Sequence, residues 1–88
     1  MEIDYLIIAL EKTLSLLRES ESSLYSSLSI EEVIRQLEDE LDKRKKSQPA
    51  DIEHLRFLFA PTGSIQEISI DNGWEMSFLK YQSHLIDT

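Results

Sequence analysis

Asp51 and His54 are the residues whose types and spacing come nearest to a reactive pair. Three positions apart on a helix, a carboxylate and an imidazole share one face, and two such motifs facing each other in a bundle hold a pair of metal ions. One motif supplies only half of that ligand set, with Asp where the bundle motif has Glu, so the expectation is a surface pair and no metal. The second imidazole, His84, has no neighbour in sequence that could orient it for proton transfer. Serines are plentiful, but none is flanked by glycines two residues to either side, as a nucleophile elbow requires. Gly63 and Gly73 fit neither the Walker spacing nor the dinucleotide fingerprint. The chain has no cysteine, which excludes disulfides and thiolate zinc sites. The sequence thus predicts no catalytic residue, no cofactor and no metal, and a protein that is not an enzyme.

Binding is the remaining chemistry. Glu38, Asp39, Glu40 and Asp42 form the densest acidic run, and they fall mid-helix without the glycine-turned loop of a calcium site. They read either as a solvated helix face or as a docking patch for a basic protein. Lys43 to Lys46 follow at the carbonyl end of the same helix, where cations suit the dipole, and no aromatic residue lies nearby to stack a base. Seventeen acidic residues against nine basic ones leave the 88-residue chain at −8, a balance that opposes nucleic acid. Trp74, the single tryptophan, reads as a core anchor or as a hot spot for a partner. The candidate partner-binding residues are therefore Glu38, Asp39, Glu40, Asp42 and Trp74.

The elements that would position these residues follow from periodicity. Ile3, Leu6, Ile7, Leu10, Leu14 and Leu17 step by threes and fours, which predicts a helix over 2–20. Tyr5, Ile8 and Leu16 widen its apolar face beyond one stripe, so it should be covered on more than one side, by its own core or by a second copy. Six serines between 20 and 29 indicate a packed connection anchored by Leu24, Tyr25 and Leu28. Ser29 with Glu32 has the capping-box spacing, and Leu28 with Val33 has that of a staple, opening a helix over 29–46. Pro49 suits a first helical position, Asp51 then falls in the first turn, and Ile52, Leu55, Leu58 and Phe59 mark a third helix that Pro61 stops. Ser64 with Glu67 repeats the capping-box spacing before Asn72-Gly73, which predicts a short helix. The rival is a bulged hairpin at about 65–76 built on Ile65, Ile68 and Ile70. Trp74, Phe78, Tyr81 and Leu85 then space as a final helix. The expected fold is all-α, one small domain of four to five short helices over 1–88, with α+β through that hairpin as the alternative.

The run Phe59-Ala60-Pro61-Thr62-Gly63-Ser64-Ile65-Gln66-Glu67-Ile68-Ser69, continued by Asn72-Gly73-Trp74, resembles a block found in short uncharacterised bacterial proteins: PTG, a leucine or isoleucine, QE, S, and NGW before a last helix. The resemblance covers the C-terminal third. It implies a bacterial origin and a helix after Trp74, and it carries no activity. In size, charge and helical character the chain is also similar to bacteriocin immunity proteins, although the tyrosine-tyrosine-proline segment of that family is absent here.

Met1-Glu2-Ile3-Asp4 lacks the positive start of a secretory signal, and no apolar run approaches the roughly 20 residues of a membrane span, so a cytoplasmic protein is expected. The function these readings support is non-catalytic protein binding, in its sharpest form an immunity- or antitoxin-like inhibitor of a basic partner. The alternative is an assembly protein that forms a homodimer through helix 2–20.

Overall fold

The computed structural model describes residues 4–21, 28–46, 48, 51–61 and 63–86, with side chains described as far as Ser83. Five helices follow one another: α1 (Tyr5–Arg18), α2 (Ile30–Lys45), α3 (Ile52–Leu58), α4 (Ser64–Asp71) and α5 (Glu75–Ile86). The described residues contain no strand, and the hairpin alternative at 65–76 is replaced by α4, a turn and the start of α5. The isoleucines decide it. Ile65 and Ile68, three apart, are both fully buried, whereas Ile70 is largely exposed; a strand would have put Ile68 and Ile70 on one face.

α1 packs on α2 and α5, α5 also packs on α3 and α4, and α2 closes over α3 and α4. One core results. α1 contributes Leu10, Leu14 and Leu17, α2 contributes Ile30, Val33 and Leu37, and Leu55, Leu58, Phe59, Ile65, Ile68, Trp74 and Phe78 join them. Burying each of these side chains is worth about 1.5–3 kcal/mol against leaving it in water. The rings of Phe59 and Phe78 lie parallel with centroids 6.0 Å apart, joining the end of α3 to α5. Thr13 on the inner face of α1 is also fully buried, and its hydroxyl has no hydrogen-bond partner among the described residues.

Local signals set the helix ends. The expected first helix begins at Tyr5 because Asp4 caps it, its carboxylate accepting from the backbone N–H groups of Leu6 and Ile7. Ser29 caps α2 through the N–H of Glu32. The reciprocal half of that capping box is displaced: the Glu32 carboxylate accepts from Arg35 and Gln36 instead. Asp51 is the cap of α3 and not a first-turn residue. Ser64 is likewise not a cap. Gly63 holds that position, and the Ser64 hydroxyl accepts from the N–H of Leu28 across the core, a tertiary demand that overrides the local motif. Alanine at Gly63 would bring its Cβ to 2.9 Å from the carbonyl oxygen of Ala60. The expectations for Pro49, for the serines at 22–27 and for the His84 side chain lie outside the described residues.

Candidate binding surface

Asp51 and His54 are brought together, but by the fold. Asp51 caps α3 by accepting from the N–H of His54 at 3.0 Å. The imidazole points to α2, where Nε2 lies 2.7 Å from the Gln36 side-chain oxygen and Nδ1 3.4 Å from a Glu40 carboxylate oxygen. Gln36 donates its own amide to Glu32 at 3.0 Å, which fixes its oxygen toward His54. Both ring nitrogens therefore face acceptor oxygens on α2. Among the described residues no group of three or more His, Cys, Asp or Glu is placed to hold a metal ion.

Glu40 is the hub of that contact, and its burial corrects its place in the acidic run read as a solvated face or docking patch. It is 2% exposed. Its carboxylate accepts from the backbone N–H of Asp51 at 2.8 Å and from the Lys43 ammonium at 3.1 Å, and it also faces His54. Burial pushes its pKa upward, but the Asp51 N–H, Lys43 and His54 outweigh that, so the carboxyl is held below the ordinary range. Its role is to pin the start of α3 onto α2, and a partner cannot reach it. The signal was present in the sequence: Val33, Leu37 and Glu40 step by four and three along the buried stripe.

The rest of the acidic run is exposed, but its charge is largely answered from within. Glu38 pairs with Arg18 at 3.0 Å, and Asp42 pairs with Lys46 at 3.0 Å, leaving Asp39 on that face. The basic run is answered just as completely: Lys43 by Glu40, Arg44 by Asp4, Lys45 by Glu11 and Lys46 by Asp42. Three of these pairs, Arg18–Glu38, Arg44–Asp4 and Lys45–Glu11, bridge α1 and α2. Exposed pairs of this kind are worth about 0.2–1 kcal/mol each, so they set register more than stability.

Trp74 belongs to the core, with 8% of its surface exposed, and this corrects its place among partner-binding candidates. Its indole N–H donates to the Ser20 hydroxyl at 2.8 Å, and Ser20 in turn donates to the Leu16 carbonyl at 2.7 Å. The two residues before it complete a latch. The Asn72 side-chain oxygen accepts from the N–H of Glu21 at 2.9 Å, while its amide donates to the Glu21 carbonyl at 2.8 Å. Gly73, at φ 79°, takes the left-handed turn. The Trp74 N–H then reaches the Ser69 carbonyl, and the Gly73 N–H reaches that of Ile70, which together make a Schellman ending for α4. Asn72-Gly73-Trp74 thus fastens the exit of α1 to the corner between α4 and α5.

The broad apolar face expected for the first helix is only partly covered. Tyr5 and Ile8 are 61% and 39% exposed. With Ala9 and Lys12 they occupy one stripe of α1 at the spacing i, i+3, i+4 and i+7, and across from them stand Lys80 and Tyr81 of α5. These six residues enclose a groove of about 340 Å³. A second hollow of about 230 Å³ shares Lys12 and Tyr81 and continues the line past Ser15, Leu16 and Ser77. A groove whose walls are mainly apolar and aromatic, with a few polar groups at the margin, suits the docking of a side-chain ridge. Neither Lys12 nor Lys80 is in an ion pair among the described residues.

No family model, curated protein or solved structure matches this chain. No helix among the described residues is long and apolar enough to cross a membrane.

Proposed function

We propose that this protein is a non-catalytic, cytoplasmic protein-binding module whose contact surface is the groove between α1 and α5. The observation that carries the reading is the exposure of Tyr5 and Ile8 in an apolar groove of a domain that already has a closed core. The groups best suited to chemistry are engaged in folding: Asp51 caps α3, and His54 lies between Glu40 and Gln36. The acidic face of α2, the surface an immunity-like inhibitor would turn to a basic partner, is the weaker candidate, because Glu40 is buried and Glu38 and Asp42 already have cationic partners. The same exposure of Tyr5 and Ile8 favours homodimerisation through α1 as a second reading.

The test is affinity capture from source-cell lysate with three baits: the native chain, Ile8→Gln in the groove, and Asp39→Lys on the acidic face. A protein retained by the native chain and by Asp39→Lys but lost with Ile8→Gln supports the groove. Loss with Asp39→Lys alone would move the function to α2. Retention of untagged copies of this same chain would select the homodimer.

A further inference from the structure

We infer that the α1–α5 groove receives an amphipathic helix of a partner protein, its apolar stripe flanked by carboxylates that Lys12 and Lys80 meet. The inference rests on the protein-binding reading above and adds the chemistry of the occupant.

The shape comes first. Tyr5, Ile8, Ala9 and Lys12 make a ridge along α1, and the two hollows run on from it to Leu16. At ~1.5 Å per residue the stretch from Tyr5 to Leu16 spans roughly 16 Å, three turns of a docked helix. A third helix laid between two others is the ordinary ridge-into-groove solution, and helix-in-groove recognition reads anchors at i, i+3, i+4 and i+7.

Charge then selects the occupant. The chain has seventeen acidic residues and nine basic ones, yet among the described residues no acidic one lines either hollow. Arg18, Arg35 and Lys43 to Lys46 are each held by a carboxylate of this chain. Of the other three cations, Lys12, Arg56 and Lys80, two stand at the groove. Its rim is thus a local positive field on a protein of net charge −8. A second copy fits poorly: two chains at −8 repel, and a two-fold contact of groove on groove would set these lysines against each other. An anionic lipid surface would meet the same overall repulsion.

The experiment is a selection on the immobilised 88-residue chain. The probe is a displayed library of amphipathic helices about four turns long, roughly 15 residues, with the apolar stripe varied and the flanking positions drawn from Glu, Lys and Gln. The expected result is enrichment of Glu at the flanks. The winning peptide, made synthetically, should shift the amide resonances of Ile8, Lys12 and Lys80. Lys12→Glu/Lys80→Glu, checked for native helicity by circular dichroism, should weaken it about tenfold and bind its Lys-flanked counterpart more tightly. Enrichment with no charge preference, or binding indifferent to the double reversal, overturns the inference and leaves the protein-binding reading intact. If no helix is enriched while the native chain self-associates in sedimentation or binds vesicles of anionic lipid, both fall.

Discussion

At its exit, α1 meets the α4–α5 corner through a set of matched polar groups: Asn72 holds both backbone groups of Glu21, and Trp74 donates to Ser20. Toward its start, α1 meets α5 across an apolar groove with two cations, Lys12 and Lys80, that are in no ion pair among the described residues. α1 and α5 border both contacts. At the first, each polar atom that is drawn in finds a partner and the geometry is fully determined. At the second, Tyr5 and Ile8 keep apolar surface in water, so this part of the two side chains adds nothing to folding stability. A small domain gains stability from the first arrangement. The second is the surface we propose for a partner. By this contrast the Asn72-Gly73-Trp74 block works in folding, while the proposed binding surface lies on a helix whose residues look ordinary.

Substitutions can break or sharpen that division. The largest effect is expected at the latch: Trp74→Ala removes a core aromatic and leaves Ser20 without its donor, costing about 3–5 kcal/mol in chemical denaturation. Glu40→Gln follows, at about 1–3 kcal/mol, since an amide serves Asp51, Lys43 and His54 less well than a carboxylate. It also carries a pH signature. The folded-state pKa of Glu40 lies below its unfolded value, so its contribution is present above the unfolded pKa and is lost as pH falls through the folded one. The urea midpoint of the native chain should therefore drop on acidification through the carboxylate range, and Glu40→Gln should flatten part of that drop. Asp4, whose pKa is lowered although burial opposes it, because Ile7, Arg44 and Leu6 outweigh that, adds a slope of the same sign. Asn72→Ala should cost about 1–2 kcal/mol by leaving the Glu21 backbone groups to water. Thr13→Val should raise the melting temperature, with a gain of about 1 kcal/mol, because it removes a buried hydroxyl that has no partner among the described residues. Ile8→Gln should be the smallest, within about 0.5 kcal/mol, as for most exposed positions.

Much of the fold was legible because helical periodicity reports on one face at a time. The stripes through Leu10, Leu14 and Leu17, and through Val33 and Leu37, are the buried stripes of α1 and α2. Ser29 caps as its spacing predicts, and Asn72-Gly73 stops α4. Where a side chain's partner is far away in sequence, local reading fails. Ser64 has the spacing of a cap, but its hydroxyl accepts from Leu28. Glu40 sits in an acidic run and is buried because the start of α3 needs an acceptor there. The groove was half legible. The excess apolar width of the first helix pointed to a second contact, but that Lys12 and Lys80 would stand together depends on how α5 crosses α1, which no local pattern encodes.

The central claim is that the latch holds the fold and the groove does not. Urea unfolding of Ile8→Gln beside Asn72→Ala tests it most directly. The expected result is a native midpoint for Ile8→Gln and a clearly lowered midpoint for Asn72→Ala. A midpoint for Ile8→Gln that falls as far as that of Asn72→Ala, or further, would make the α1–α5 groove part of the core and contradict the assignment of this face to a partner.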